Sequence, residues 1–539
     1  MSRTLEERQQ RAPAQSPLRW IAGLSVPARV MILVTLGALA LRILPLNGGP
    51  TDYDEGVYWQ SLRAMAHGLP LFSSVFSSQP PFFLLGLYPF YLLFGQTLFA
   101  ARLAVTLYSL LGVIALYFAG RALGRRWAGA LAAALLAVDP LYLTESHTLQ
   151  AEAPALALMA VAVALAMEAM RQTVRARHWL AVASGVALGL GFMGKLLDIV
   201  ALVPIALYLA APIFALCLDE QGAIQRPDAT RLRPAIRSVV VEYACCFGAF
   251  LLVCALVIAP FVGSIGALYD QVVRFHLVAG NADNLGLTHN ISVILKARAL
   301  YLPGVLAIMA LGLALWRRAW WMAPLALWLL AALILLARQQ PLLNHHLTLL
   351  APMLALIGAL ALPLAVTAAH TSPRTAMHGA RVTPHAPHTQ MAQFLPGSVV
   401  ALALIVVLVG AVSGVVANRT AAAAPSSETQ RMASALQAFS QPGELVVSDD
   451  QSIAGLADRD VPPQLVDTSQ VRISSGYLTA SQLEAIITQD HAQAILFASG
   501  RFDLIPGFRA WVAAHSQIAA TFSHGHALYL LTSLPPTTA

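Results

Sequence analysis

The sequence predicts a mainly α polytopic membrane protein of about eleven transmembrane helices, with a small α/β domain at its C-terminal end. Three observations predict it. Of the 539 residues, 58% are hydrophobic and only 11% charged, and the mean hydropathy is +0.68. Soluble domains carry about 25% charged residues. A chain this long and apolar exceeds what one soluble core can hide, so lipid must cover the remainder. Second, about eleven apolar runs approach the roughly 20 residues that a span requires. Third, beyond about residue 425 the pattern changes to short strands alternating with helices.

The polar, basic stretch MSRTLEERQQRAPAQSPLR opens the chain, and the apolar run behind it lacks a clear small-residue cleavage site. Residues 1–25 therefore read as a cytoplasmic tail before a retained first span. Spans are expected near 26–46, 99–120, 127–143, 153–170, 179–195, 197–217, 238–262, 299–315, 320–337, 346–369 and 397–417. With the N-terminus inside, the inner loops hold Arg121, Arg125 and Arg126; Arg171, Arg175 and Arg177; Arg226, Arg231, Arg233 and Arg237; Arg317 and Arg318; and Arg374 and Arg381. The opposite loops are poor in Lys and Arg, as the positive-inside rule requires. The formal net charge of +7 reads as this bias rather than as a nucleic-acid surface. An odd number of spans places the C-terminal region outside, and a bacterial inner membrane is the expected location.

The transmembrane catalytic domain would then run over 26–420, with a long outer loop at 47–98. The second half of that loop, LFSSVFSSQPPFFLLGLYPFYLLFG, suggests helices lying in the membrane interface. A second outer segment, near 263–298, contains GNADNLGLTHN. The α/β domain, 425–539, follows the polar linker ANRTAAAAPSSE. Its expected helices are ETQRMASALQAFS, TASQLEAIITQD and GFRAWVAAHS, and its expected strands are GELVVSDD, AILFASG and HALYLLTS. The His-rich segment HTSPRTAMHGARVTPHAPHTQ falls on the inner side and reads as a solvated loop, with metal binding the alternative. Cys217, Cys245, Cys246 and Cys254 lie within or at the end of apolar runs, without CxxC or Cys/His metal spacing, and read as apolar fillers. Asn290-Ile-Ser and Asn418-Arg-Thr match the glycosylation acceptor pattern, which is short enough to arise by chance.

Acidic side chains near membrane depth are expensive and so mark functional candidates. Asp52, Asp54 and Glu55 sit just past the first span in TDYDEGVYW. Glu152 opens the fourth span, and Glu145 lies one loop earlier. Carboxylates from two segments meeting at a membrane surface suit general-base activation of an acceptor. Each also has a plainer reading, since acids favour the first turn of a helix and Pro154 marks a helix start. Basic candidates lie on the same side. Lys195 ends the fifth span in GLGFMGKLLDI, with Asp198 as a nearby partner. Arg338, His345 and His346 lie in ARQQPLLNHHLTLLAP. A cation at a span end often merely snorkels. Taken together, acids and bases facing one side suit an anionic lipid substrate meeting an acceptor at the outer leaflet.

At these residues the chain resembles the GT-C fold glycosyltransferases, specifically the family 39 and aminoarabinose-transferase-like branch, which uses polyprenyl-phosphate-linked sugars. Asp54-Glu55 followed by Tyr58 resembles the family's Asp-Glu motif, and Gln79-Pro80-Pro81 its Lys-Pro-Pro. Ala101-Arg102-Leu103 resembles the start of its second span, Glu152 falls where it usually has Asp, and Gly191 to Lys195 resembles its Thr-Lys-Gly or Ser-Lys-Gly stretch. His345-His346-Leu347 through Ala351-Pro352 resembles its segment entering a late span. The resemblance covers about 30–370 and implies inverting transfer from a polyprenyl-phosphate sugar to a lipid, glycan or protein acceptor on the outer face. It implies Asp54 as the acceptor-activating base, with Glu55 beside it in the motif and Glu152 positioning. It places Lys195, Arg338, His345 and His346 at the donor phosphate, and Tyr58 and Gln79 at the substrate. Gln79 departs from the family's Lys, so lipid A need not be the acceptor. No cofactor is indicated, although the His345-His346 pair leaves a divalent metal open. Membrane lipids are expected partners and nucleic acid is not. A transporter or flippase would show paired repeats and charges near mid-membrane, neither of which is seen. A glycan ligase of the same fold would share the outer-face site.

Overall fold

The computed structural model describes residues 24–50, 52–123, 125–217, 225–282, 285–370 and 387–532. The N-terminal tail up to residue 23 and most of the His-rich segment, with Arg374 and Arg381, lie outside the described residues. The chain is a multi-pass, mainly helical membrane protein. Eight helical stretches among the described residues are long and apolar enough to cross a bilayer: Val26–Ile43, Leu98–Ala122, Glu152–Ala169, Ala229–Gly280, Arg298–Trp316, Trp320–Arg338, Asn344–Thr367 and Leu395–Ala421. A ninth is gained if Leu196–Leu209 and Ala211–Cys217, bent by 48° against each other, count as one span.

Two of the about eleven expected spans, 127–143 and 179–195, fall outside this set. The run at 127–143 breaks after 12 residues, Arg126–Ala137. There Asp139 caps a new short helix, Pro140–Glu145, accepting from Leu141 N at 3.1 Å and Tyr142 N at 3.0 Å. Twelve residues rise only about 18 Å, short of the hydrocarbon thickness. The helix Val174–Gly194 is long enough, but its polar start and five small residues (Ser184, Gly185, Gly189, Gly191 and Gly194) leave it outside the apolar set.

Six helices position the site: α1 (Val26–Ile43), α2 (Tyr53–Ala66), α3 (Phe82–Leu93), α4 (Leu98–Ala122), α5 (Glu152–Ala169) and α6 (Val174–Gly194). α2 and α3 are the helices of the long loop, and α2 is buried along most of its length. Asp52 starts α2 by accepting from Glu55 N at 3.0 Å, and Thr97 starts α4 by accepting from Ala100 N at 3.2 Å. α5 packs against both α4 and α6 on small residues. A Cβ at Gly191 would stand 2.8 Å from Asp198 Oδ2 and 3.2 Å from Ala155 O, so only glycine lets α6 approach α5 this closely.

The C-terminal part forms a four-stranded sheet in the order β1-β2-β4-β3: β1 (Val446–Ser448), β2 (Ala494–Phe497), β3 (Ser516–Thr521) and β4 (Ala527–Leu531). β1 and β2 are parallel, and the other pairs are antiparallel. The three expected strands form. β3 is additional, a half-exposed edge strand that follows directly on the helix Phe508–His515. Alternation along the strands splits the core in two. Val446, Ala494, Leu496 and Leu528 join one continuous core with α2 and the membrane helices, while Val447, Ile495, Phe497 and Tyr529 join a separate core on the opposite face. The linker shortens, because the helix Pro387–Ala421 continues through its first residues. All four cysteines are free, and Cys246 is buried. Asn290 and Asn418 are buried, and their amides donate to backbone carbonyls, which removes both as accessible glycosylation acceptors.

Candidate active site

A cavity of about 240 Å³ opens between α2, the start of α3, the C-terminal end of α6, the segment Gln339–His346 and the C-terminal part. Asp54, Tyr58, Gln79, Lys195, His345 and His346 all line it. Six of the nine candidate residues therefore converge from four segments separate in sequence.

Asp54 is the carboxylate of α2 that faces the cavity. Burial is the main force on it, followed by the negative charges of Asp52, Asp467 and Glu152, and together they raise its pKa to about 7. Lys195 pulls the other way. Asp52 is held apart by capping α2 and accepting from Gln150 Nε2 at 2.8 Å. Tyr58, one turn on, hydrogen-bonds Gln79 and meets Phe83 edge-on at 4.8 Å. Burial, then the Asp54 and Glu152 charges, push its phenol well above the usual range, so it stays a neutral hydroxyl.

Lys195 leaves α6 in extended backbone and is 8% exposed. Its ammonium contacts Glu152 Oε1 directly, so Glu152 rather than Asp198 is its partner. His345 Nε2 lies 3.6 Å from the same oxygen, while Glu152 Oε2 is buried without a hydrogen-bond partner among the described residues. Glu152, His345 and His346 bring ligand atoms within 4.8 Å of one another, a spacing that would admit a metal ion. The donor chemistry favours an anion instead. Lys195 already holds the carboxylate. Leu343 N donates to His346 Nδ1 at 3.2 Å, which leaves Nε2 of the neutral ring as an N–H donor. Glu145 is buried nearby, and burial followed by the Glu152 and Asp52 charges pushes its carboxyl well up.

Two candidates lie elsewhere. Glu55 is fully buried on the side of α2 away from the cavity. Arg102 Nε and Nη2 donate to its two oxygens at 2.7 and 2.6 Å, and Leu149 N donates to Oε1 at 2.9 Å. Arg102 also donates to the carbonyls of Leu46, Gly48 and Gly49 at 3.1, 2.8 and 2.9 Å. Glu55 thus ties α2 to α4 and to the chain on either side, which fixes where its neighbour Asp54 stands. Removing one member of so buried a pair leaves an uncompensated charge, worth about 3–5 kcal/mol. Arg102→Met is expected to lower the thermal midpoint in detergent by many degrees, and Glu55→Gln by less, since the amide retains hydrogen-bonding capacity. Arg338 is exposed and does not line the cavity. Asn290 Nδ2 pins the Ala337 and Gln339 carbonyls at 3.1 and 2.6 Å, and it is Gln339 that turns inward.

The cavity also contains residues that sequence reasoning did not single out. His276 and Phe275 come from the end of the long Ala229–Gly280 stretch, just after a π-turn at Asp270–Arg274. Gln271 in that turn accepts from Ser77 N at 2.8 Å and donates to Phe72 O at 2.9 Å, tying the stretch to the loop before Gln79. Asp467, Ser469 and Val471 come from the C-terminal part. No local pattern marks these positions, and the fold alone brings them in.

Comparison with known proteins agrees with this architecture. The family model described as dolichyl-phosphate-mannose-protein mannosyltransferase matches residues 78–220, which include Gln79, Glu152 and Lys195. A search of curated proteins gives no match. Among solved structures, ArnT from Cupriavidus metallidurans bound to undecaprenyl phosphate is similar at 17% identity and a TM-score of 0.58, over 95% of this chain and 99% of that one. The oligosaccharyltransferase of Archaeoglobus fulgidus in its apo form is similar at 13% identity and a TM-score of 0.51, over 90% of this chain and 71% of that one. The chain therefore has the GT-C fold of membrane glycosyltransferases.

Proposed function

We propose that this protein is an integral membrane glycosyltransferase that moves a sugar from a polyprenyl-phosphate donor to a lipid, glycan or protein acceptor. One observation carries the reading. A single cavity sets a carboxylate with a pKa of about 7, Asp54, together with the Lys195 ammonium and the imidazoles of His345 and His346. The family match and the fold shared with ArnT support it.

The chemistry is an inverting single displacement. The acceptor hydroxyl oxygen bonds to the anomeric carbon as the bond from that carbon to the phosphate oxygen breaks. Asp54 takes the hydroxyl proton. Polyprenyl phosphate departs with one more negative charge than it had in the donor, and Lys195 with the two imidazoles stabilises that added charge. Glu152 positions Lys195 and His345 through Oε1. The transferred group is a hexose or pentose. The N-terminus is cytoplasmic and the cavity faces the outer side of an inner membrane, following the arginine bias of the loops. On this topology residues 425–539 form an extracytoplasmic domain.

The test is transfer activity in nanodiscs, using radiolabelled polyprenyl-phosphate sugars with membrane lipid, glycan and protein acceptors. Consumption of one monosaccharide donor supports the proposal. Consumption of assembled glycans alone points to a ligase of the same fold. Movement of lipid-linked sugar across the bilayer without transfer points to a flippase. The pH profile offers an independent check. Because Asp54 must be ionised, kcat/KM is expected to fall about tenfold per unit as pH drops below about 7, and to level off above it. A profile flat from pH 5 to 8 would remove Asp54 from the base role.

A further inference from the structure

The C-terminal part places a second carboxylate, Asp467, in the cavity. Asp467 lies between the turn Pro463–Leu465 and the helix Gln470–Ser474 and is 6% exposed. Its Oδ1 accepts from Ser469 N at 2.8 Å, which fixes the rotamer. Among the described residues no donor reaches Oδ2, and Asp467 belongs to the cavity wall along with Asp54 and Tyr58. A carboxylate oxygen left unpaired at a polar cavity is arranged to accept hydrogen bonds from whatever fills the cavity.

Its backbone is clamped from the membrane side. Tyr53, next to Asp54, accepts from Thr468 N at 2.6 Å through its hydroxyl, which also lies 3.1 Å from Thr468 Oγ1. Arg501 stacks on the Tyr53 ring at 3.9 Å. Arg472 donates to the carbonyls of Gln464 and Asp467 and stacks on Phe76 at 3.7 Å, three residues before Gln79. Behind these, α2 and the helix Gln451–Leu456 meet without a gap. A Cβ at Gly56 would stand 2.4 Å from Ser452 N, and one at Gly455 would stand 2.5 Å from the Trp59 ring. The two residues that flank the cavity motifs, Tyr53 and Phe76, therefore hold the loop that carries Asp467. An arrangement this constrained suits a side chain whose position matters to a ligand.

We propose that Asp467 is a substrate-binding residue that accepts hydrogen bonds from ring hydroxyls of the sugar being transferred, so that the C-terminal part supplies one wall of the donor-sugar subsite. A carboxylate suits a polyhydroxylated ring, because it accepts from two neighbouring hydroxyls at once. The Lys195 ammonium and the His345 imidazole take the phosphate, and Asp467 reads the sugar attached to it. This rests on the glycosyltransferase reading above.

The test uses the full-length chain in nanodiscs with Asp467→Ala and Asp467→Asn. The asparagine retains an acceptor for Ser469 N and guards against simple misfolding. Two ligands are titrated without acceptor: undecaprenyl phosphate alone, and the polyprenyl-phosphate sugar that wild type consumes. Loss of a charge-assisted hydrogen bond is expected to weaken binding of the sugar-bearing lipid by about 10- to 100-fold in Asp467→Ala. Binding of undecaprenyl phosphate should stay unchanged, and Asp467→Asn should fall between. Equal weakening for both lipids would reduce Asp467 to a structural role and overturn the proposal. A change confined to the acceptor KM would overturn it too, by moving Asp467 to the acceptor. If wild type consumes no lipid-linked sugar, the glycosyltransferase reading fails first. If wild type is active and both variants bind donor like wild type, only the role of Asp467 fails.

Discussion

Asp54→Asn is expected to lower kcat by about 10²- to 10⁴-fold while leaving the protein folded and the donor bound. The range is that of a positioned general base. Asparagine has nearly the same shape and cannot take the acceptor proton. Asp54 carries no part of the scaffold: Asp52 provides the cap of α2, and Glu55 provides the tie to Arg102. Stability should therefore hold or rise slightly, since replacing a buried carboxylate surrounded by Asp52, Asp467 and Glu152 relieves their repulsion. Transfer rates with saturating donor, together with a thermal melt, check both halves. A folded Asp54→Asn enzyme with more than a tenth of wild-type kcat would mean that the proton leaves by another route.

The second large effect is expected at Lys195. Lys195→Met keeps the apolar stem and removes the charge, and should cost about 10²- to 10³-fold in kcat, the range seen when one preorganised group facing developing charge is lost. The loss should exceed any rise in donor KM, because the phosphate gains negative charge only as the sugar departs. It should also shrink for donors with better leaving groups. Lys195→Met additionally strips Glu152 of its direct partner, leaving a buried carboxylate near His345 alone. The double variant Lys195→Met, Glu152→Gln is therefore expected to fold better than the single one without regaining activity. Comparing the two by melt and by rate separates the structural part of the loss from the chemical part. A single variant that loses affinity but not kcat would make Lys195 a tether for the donor and nothing more.

Much of this cavity was legible in the sequence because its residues sit where one element stops and another starts. Asp54 and Tyr58 begin α2, Lys195 ends α6, and His345 and His346 enter a span. Those boundaries are written locally in polar-to-apolar steps. What local pattern could not decide is which of two adjacent acids turns inward. Asp54 and Glu55 differ by about 100° of helix rotation. The choice rests on Arg102, a residue of α4 that claims both Glu55 oxygens. The same difficulty separates Arg338 from Gln339, where Asn290 settles the matter through two carbonyls. Asp467 was out of reach for another reason, since its surroundings in PQLVDTSQV look like any loop of a small α/β fold. β3 escaped because SQIAAT is poor in β-forming residues, and its strand exists through pairing with β4. The apolar run at 127–143 also hid a break, where Asp139 and Pro140 end one helix and start another.

The split alternation of the sheet bears on how such proteins can change. A domain with its own closed core can be lost, exchanged or appended without disturbing its host. Here Val446, Ala494, Leu496 and Leu528 belong to the same core as Val57 and Trp59, so the sheet has only one face of its own. Cutting the chain near residue 425 would leave two unmatched oily surfaces rather than two proteins. A chimera that borrows the sheet of a relative would have to borrow α2 as well, and with it Asp54. In this architecture the proposed base and the wall that faces it are inherited together, and new sugar preferences are expected to arise by substitutions in the Asp467 loop rather than by shuffling of whole modules.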